Sequence, residues 1–457
     1  MGSDWKTYSL GELGPIKTGK TPPSSLGDGF GGTVPFVTPG DMNGQKWITD
    51  TDRYLNENGL SAVSSSLMPA RSVAVSCIGS DMGKAALLSK PSVTNQQINT
   101  IAVDESKFNA EFVYYDLSVR QQELKAAASG SATPILNKGH FSAFEMLVPP
   151  RATQDKIAEI LGRLDDKIDI NHRINQTLEQ MAQAIFKSWF VDFDPVKAKI
   201  AAKHEGRDPL RAAMSAISGK TDAGLDQLPP EQYQQLAATA ALFPDEMVDS
   251  ELGEIPKGWR ASQIGGEVIA TGGGTPSTQV SEYWDNGTYY WATPRDFSNL
   301  SDKVLLATER KITKEGLSKI SSGLLPAGTV LMSSRAPVGY LAITKIPTAV
   351  NQGFIAMKCN KDLSPEFCLQ WTHQMMDDIK QRASGTTFAE ISKSNFRQIP
   401  VVVPSKGVMD SYTITVSGLY ELIASNVAES TTLSETRDSL LPKLLSGEMS
   451  IGGDMNG

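Results

Sequence analysis

The sequence predicts an α/β fold built from two copies of one mixed α/β domain. The copies are joined by two long helices packed as an antiparallel coiled coil, with the halves related by a pseudo-two-fold. Three observations carry this. Landmarks recur at a nearly constant offset; short strand-like runs alternate with helical ones inside each copy; and a heptad-spaced helical segment follows each copy.

The repeat is read from matched residues. Trp5 matches Trp259, and Gly19-Lys20-Thr21-Pro22 matches Gly273-Gly274-Thr275-Pro276. Thr38-Pro39-Gly40-Asp41 matches Thr293-Pro294-Arg295-Asp296, and Asn95-Gln96 matches Asn351-Gln352. Ala128-Ser129-Gly130, Lys138, Phe141 and Val148-Pro149 match Ala383-Ser384-Gly385, Lys393, Phe396 and Val403-Pro404, all at offsets of 254 to 256. The domains therefore span 1–150 and 257–404. Within them Ser72–Val75 and Gly328–Leu331 read as strands, and Ala110–Ala127 and Pro365–Arg382 as helices.

Behind the first copy, residues 153–193 contain no proline and one glycine. Ile157, Leu161, Leu164 and Ile168, then Ile174, Leu178, Met181 and Ile185, keep four-three spacing, with Asn171 in the seam as a residue able to fix register. At 1.5 Å per residue the helix runs about 60 Å. This central helix is assigned to 151–196. Val416, Tyr420, Ile423 and Val427, resumed by Leu441 and Leu444, mark a distal helix within 405–450, before a tail at 451–457. Residues 197–256, rich in Ala, Gln, Asp and Gly, read as an exposed helical connector.

Composition narrows the function classes. With 40% hydrophobic and 21% charged residues over 457 positions the chain can build several cores. No apolar run is long enough to span a membrane and the amino terminus lacks a secretory pattern, so cytoplasmic residence is expected. Cys77, Cys359 and Cys368 have no paired metal-ligand spacing and the four histidines are scattered, so no metal is assigned. The net charge of −8 is uneven. Residues 1–150 carry −2 and 257–404 carry +4, leaving −10 to the other segments. That distribution leaves nucleic acid open for the two copies.

Residues 14–21, GPIKTGKT, match the phosphate-loop pattern Gly-x-x-x-x-Gly-Lys-Thr. A working loop follows an apolar strand and opens onto a helix, whereas here a polar segment precedes it and Pro22-Pro23-Ser24-Ser25 follows. The second copy reads VIATGGGT at 268–275, retaining only Gly-x-Thr-Pro. A turn is expected, with Lys20 meeting DNA phosphate if it meets phosphate at all. An NTPase centred on Gly14 to Thr21 remains a rival reading, as does a repeat-built protein adaptor.

The segments QDKIAEILGRLDDKIDINHRINQTLEQMAQAIFKSWFVDFDP (154–195), LFPDEMVDSELGEIPKGW (242–259) and RDSLLPKLLSGE (437–448) closely resemble the conserved regions of type I restriction-modification specificity (S) subunits. The Gly-x-Thr-Pro, Asn-Gln and Ser-Gly landmarks are similar to that family's target recognition domains. The resemblance implies a non-catalytic subunit that reads double-stranded DNA. Each recognition domain takes one half of a split site, and the paired helices set the spacer and dock two methyltransferase subunits. It also implies that S-adenosylmethionine, Mg²⁺ and ATP belong to partner subunits, the methyltransferases and the restriction/motor pair, with no cofactor in this chain. This sequence has no Asn-Pro-Pro-aromatic methylation motif. A spacer of the estimated length spans half-sites about 34 Å apart.

The repeat also sorts candidate contacts, because shared residues suit fold or phosphate and differing ones suit base reading. The sharpest difference sets Ile78–Lys84 against Ser334–Tyr340, each after a strand. Arg335 leads as a base reader, able to grip guanine with two hydrogen bonds. Ser334, Tyr340, Lys84, Asp81, and Arg295 opposite Gly40 are further candidates. Lys138 and Lys393, Lys20, Thr21 and Thr275, and Ser129, Ser131, Ser384 and Thr386 are phosphate candidates. Asn95-Gln96 and Asn351-Gln352, being shared, are expected to satisfy buried backbone. Lys187, Trp189 and Phe190 are candidates for a partner surface, with core packing the safer reading for the two aromatics.

Overall fold

The structure, a computed structural model, describes residues 4–128, 135–298, 300–384 and 389–449. The chain divides into two compact units, Met1–Asp169 with Ser430–Gly457, and Ile170–Glu429. Each contains one copy of the repeated domain and a stretch of both long helices.

In the first unit Lys6–Ser9 pairs antiparallel with Glu145–Val148, tying the ends of the copy together. Between them lies a five-stranded sheet in the order Ile16–Thr18, Ile98–Ile101, Val73–Ser76, Ala85–Leu88, Trp47–Ile48. Strand alternation decides what each face covers. Val73, Val75, Leu87 and Ile101 join a core with Phe112, Val113 and Tyr115 of the helix Ala110–Val119. Ala74, Ala86, Leu88 and Ile98 join Val37, Met42 and Met68 on the other face. A second sheet orders Arg53–Leu55, Phe30–Val37, Ser92–Thr94 and Leu67–Met68.

The second unit repeats this plan. Arg260–Gln263 pairs with Pro400–Val403. Its five-stranded sheet runs Ile269–Thr271, Phe354–Lys358, Val330–Ser333, Leu341–Thr344, Val304–Leu305. Val330 and Met332 face one core and Leu331 the other. The connector folds as helices Asp194–His204, Pro209–Ser218 and Pro230–Ala241 around a small core of Ala213, Met214, Leu225 and Ala240, ending in the hairpin Met247–Ser250 with Gly253–Pro256.

The landmark Thr-Pro-x-Asp owes its recurrence to a backbone requirement. Asp41 Oδ2 accepts from the Thr38 N–H and hydroxyl, both at 2.7 Å, while Oδ1 accepts from the Asp52 N–H at 2.9 Å. Asp296 does the same for Thr293, at 2.8 and 2.7 Å, and for the Glu309 N–H at 2.7 Å. One carboxylate closes its own turn and satisfies a donor of the next loop.

Residues 14–21 do not form a phosphate loop. Gly19 packs so closely under the next turn that a Cβ would lie 2.1 Å from the Thr94 carbonyl oxygen. The chain then enters only a three-residue 3-10 turn, Ser24–Leu26, so no helix dipole faces the turn. The expected helix 110–127 is interrupted at Arg120, whose guanidinium bonds Asp116, Glu123 and the Glu145 carbonyl.

The central helix spans Arg151–Phe186, and its last residues pass through a π-turn, Lys187–Val191. The distal helix spans Lys406–Leu445. In the first unit Ile157 and Leu161 pack with Leu441 and Leu444, and Arg437 bonds Asp165 at 2.8 Å. In the second unit the expected seam holds at Asn171, Leu178 and Ile185 and is corrected at Ile174 and Met181. Ile174 and Met181 are 43% and 47% exposed, whereas Asn171, Asn175, Ala182 and Phe186 are buried. The four-three spacing set by Ile157 to Ile168 continues through Asn171 and Asn175; Ile174 lies one residue, about 100° of helix rotation, off that line. Asn171 Nδ2 donates to Glu429 at 2.8 Å, and Asn426 Nδ2 donates to Asn175 Oδ1 at 2.9 Å. A polar layer therefore sits inside the antiparallel pair, where it specifies register.

One turn further on, Glu179 is held by four donors. Lys303 Nζ at 2.8 Å, Gln183 Nε2 at 2.9 Å and Gln370 Nε2 at 3.0 Å reach Oε1, and the Tyr420 hydroxyl reaches Oε2 at 2.7 Å. Burial pushes this carboxyl up, but the Lys303 charge and the hydrogen bonds outweigh it, and the group sits below its ordinary value of 4.5. It holds its proton less tightly folded than unfolded. Its stabilisation is therefore complete above about pH 4.5 and is lost as pH falls through the depressed folded-state value.

Glu179→Ala, which strands Lys303, is expected to cost about 3 kcal/mol in urea unfolding of the second unit near neutral pH, and less in acid. Asp296→Ala is expected to speed hydrogen exchange at the Thr293 and Glu309 amides and to cost about 2 kcal/mol. Asp41→Ala should do the same at Thr38 and Asp52.

Candidate nucleic-acid interface

In each copy backbone hydrogen bonds stitch four loops into one surface. In the first, the Lys20 N–H donates to the Thr94 carbonyl at 2.9 Å, Cys77 N–H to Gln97 at 2.7 Å, and Leu136 N–H to Cys77 at 3.0 Å. In the second, Gly274 donates to Val350 at 3.0 Å, Ser334 to Gly353 at 2.8 Å, and Ile391 to Ser334 at 3.0 Å. The Gly-x-Thr-Pro turn, the Asn-Gln turn, the loop that differs between copies and the lysine-bearing segment thus lie side by side in both.

The first two turns form a clasp. Gly19 and Gly273 have no room for a side chain; a Cβ on Gly273 would stand 1.8 Å from the Val350 carbonyl oxygen. The Thr21 hydroxyl donates to Gln96 Oε1 at 2.6 Å, and Thr275 donates to Gln352 Oε1 at 2.6 Å. Asn95 Oδ1 accepts from the Gln97 N–H at 3.0 Å and Asn351 Oδ1 from the Gly353 N–H at 2.9 Å. The asparagines do satisfy backbone. The glutamines do not, and both are exposed.

The variable loops rise from this base. Asp81 and Lys84 pair with each other at 2.7 Å, and Arg335 meets Glu390 at 3.5 Å across a backbone bridge. Arg295, 77% exposed, meets Glu309 at 3.5 Å. Solvent-exposed pairs of this kind are weak, so their cations are exchangeable onto another anion. Ser334 is corrected: it is 3% exposed and its backbone anchors the loop on both sides, which leaves no path for its hydroxyl to a base. Tyr340 is half-buried, packed against the core that includes Phe297 and Leu331. Below the first loop Cys77 is buried, its thiol pushed up to about 11 by desolvation, which keeps it a neutral packing group.

Lys138 and Lys393 are exposed and open equivalent short helices, Lys138–Ala143 and Lys393–Arg397, capped by Asn137 and Ser392. Ser384 is bridged through its backbone to Glu390. Ser129, Ser131 and Thr386 lie outside the described residues. Lys20, Thr21, Asp81, Lys84 and Lys138 therefore gather on one loop cluster of the first unit. Thr275, Arg335, Ser384 and Lys393 gather on its counterpart in the second. Arg295 follows the strand that supports the Asn351 turn, through the Asn351 N–H to the Ala292 carbonyl at 3.0 Å. Glu390, which also stands in the second cluster, was not singled out in the sequence, and the two glutamines were expected to satisfy buried backbone. The repeat pairs the glutamines with each other, but contacts across about 75 residues have no periodic signal.

The partner-surface reading of Trp189 and Phe190 is also corrected. They are 2% and 7% exposed, in a core with Phe186, Phe243, Trp259, Phe367 and Tyr412. Lys187 is exposed and pairs with Asp192. The apolar side chains that do face solvent on the helices are Ile170, Ile174, Met181, Ile414 and Leu422. No helix among the described residues is long and apolar enough to cross a membrane.

A family model described as the type I restriction modification DNA specificity domain matches residues 2–180 and 256–410. The specificity subunit of the type I restriction enzyme HindI from Haemophilus influenzae is 36% identical over 341 residues, 71% of this chain and 73% of that protein. The MjaIX specificity subunit of Methanocaldococcus jannaschii is 22% identical over 456 residues, covering 98% and 94% of the two chains. The crystal structure of a type I restriction-modification S subunit from M. genitalium shares the fold, with a TM-score of 0.55 and 15% identity over 97% of each chain. With both repeats matched by one model and a relative aligned over most of its length, the chain belongs to the specificity subunits of type I restriction-modification systems.

Proposed function

We propose that this subunit is the non-catalytic DNA reader of its complex, each recognition domain taking one half of a bipartite site. The observation that supports it is the duplicated loop cluster. A clasp common to both domains carries loops of unlike chemistry, Ile78–Lys84 in one and Ser334–Tyr340 in the other. A common scaffold with exchangeable readers is what recognition of two different half-sites requires. Arg335 is the leading base reader, with Lys84, Asp81 and Arg295 beside it, and Lys20, Lys138, Lys393 and Ser384 grip phosphate.

The helices fix the spacer between half-sites, and methyltransferase subunits dock on them. The exposed aliphatic residues support docking. Ile170, Ile174 and Met181 are each 43–47% exposed and recur at helical spacing, while the seam beside them is filled by asparagines. S-adenosylmethionine, Mg²⁺ and ATP then belong to partner subunits. A subunit at −8 also leaves room for its partners to supply much of the grip on DNA phosphate.

In the assembled complex, Arg335→Ala is expected to relax one base position in one half-site at a cost of about 1–3 kcal/mol, leaving the other half unchanged. Adenine methylation mapped across a genome reads this directly; an unaltered map removes Arg335 from the readers. Lys20→Ala is expected to weaken DNA binding modestly without altering the site. Nucleotide binding by the isolated chain that vanishes in this variant would instead support the NTPase reading.

A further inference from the structure

The clasp contains a polar contact that stability alone does not explain. Thr21 with Gln96 and Thr275 with Gln352 are exposed on both sides, and a solvent-exposed hydrogen bond between side chains adds little to folding while ordering a flexible glutamine. The turns are already joined by the Lys20 and Gly274 amides, at 2.9 and 3.0 Å, and by the glycine approach. Both domains nevertheless keep the pair at the same 2.6 Å, although the adjoining loops differ at nearly every position.

The chemistry of the pair is directional. A glutamine amide offers one acceptor oxygen and two N–H donors. With the oxygen turned to the threonine hydroxyl, the amide is held in one orientation and its Nε2 is a positioned N–H donor. It stands in the loop cluster that carries Lys20 and Lys138 in one domain and Arg335 and Lys393 in the other. A donor presented alike by two domains that read different sequences matches the acceptor common to both half-sites, the phosphate and sugar oxygens of the duplex.

We propose that Gln96 and Gln352 are DNA-backbone contacts, each held by its threonine so that Nε2–H faces a backbone oxygen. This rests on the DNA-reading function proposed above. Gln96→Glu and Gln352→Glu separate contact from scaffold, because a carboxylate still accepts the threonine hydroxyl but presents no donor. The test uses the full chain assembled with its methyltransferase subunits. Fluorescence anisotropy measures a duplex bearing the mapped site and a scrambled duplex of equal length, with melting temperature recorded alongside. Each variant should bind both duplexes about tenfold more weakly, with an unchanged melting temperature and an unchanged methylation site. Unchanged affinity overturns the proposal. So does a loss that tracks a lowered melting temperature, which makes the pair structural, and so does a loss confined to the mapped site, which makes the glutamines base readers. A wild-type complex that binds both duplexes equally while the variants still lose affinity leaves the backbone contact standing and removes sequence reading.

Discussion

Loops that leave a sheet carry N–H and carbonyl groups needing partners, and here the loops of each recognition domain supply them to one another. The amides of Lys20, Cys77 and Leu136, and those of Gly274, Ser334 and Ile391, run the same path through equivalent carbonyls. Because backbone makes these bonds, the side chains above them are free to differ. That constraint explains how Ile78–Lys84 and Ser334–Tyr340 share a position in the fold and, apart from Gly83 and Gly339, little of their chemistry. It also explains Gly19 and Gly273, where one turn lies against the next with no room for a Cβ.

Asp41 and Asp296 extend the same economy beneath the site, each serving three donors from two loops. A deformable surface would lose contacts as readily as it made them. A surface fixed from below holds donors within a narrow geometry, which the proposed reading of base edges requires. The weak, exposed pairs of Arg335 with Glu390 and Lys84 with Asp81 fit such a platform, since they keep the cations soluble without holding them tightly.

Much of this was legible in the sequence, because duplication supplies an internal comparison. Two domains, strands within them, both long helices and the Gly-x-Thr-Pro turn follow from matched landmarks and periodicity; that Ile16–Thr18, just before the turn, is a sheet strand does not. The helix seam was legible at Asn171, Leu178 and Ile185 as well as up to Ile168, and misread at Ile174 and Met181. At those two positions aliphatic residues point one way and heptad phase another, and phase prevails because a continuous helix cannot step over a residue; hence Asn171 and Asn175 are buried and Ile174 exposed. Trp189 and Phe190 take the safer of their two readings, core packing: the π-turn and the left-handed Phe193, at φ 57°, turn the chain back so that Phe243 and Tyr412 close over them. The Thr–Gln pairs and Glu390 depend on distant contacts that carry no local pattern.

In the proposed function DNA lies on the loop cluster of each recognition domain. Photocross-linking of a duplex carrying the mapped site to the assembled complex, followed by identification of the modified peptides, tests that placement most directly. Cross-links are expected in both domains, on residues 19–21, 78–84 and 135–138 and on residues 273–275, 334–340 and 389–393. Cross-links confined to the helices or the connector, with both clusters unmodified, would contradict it.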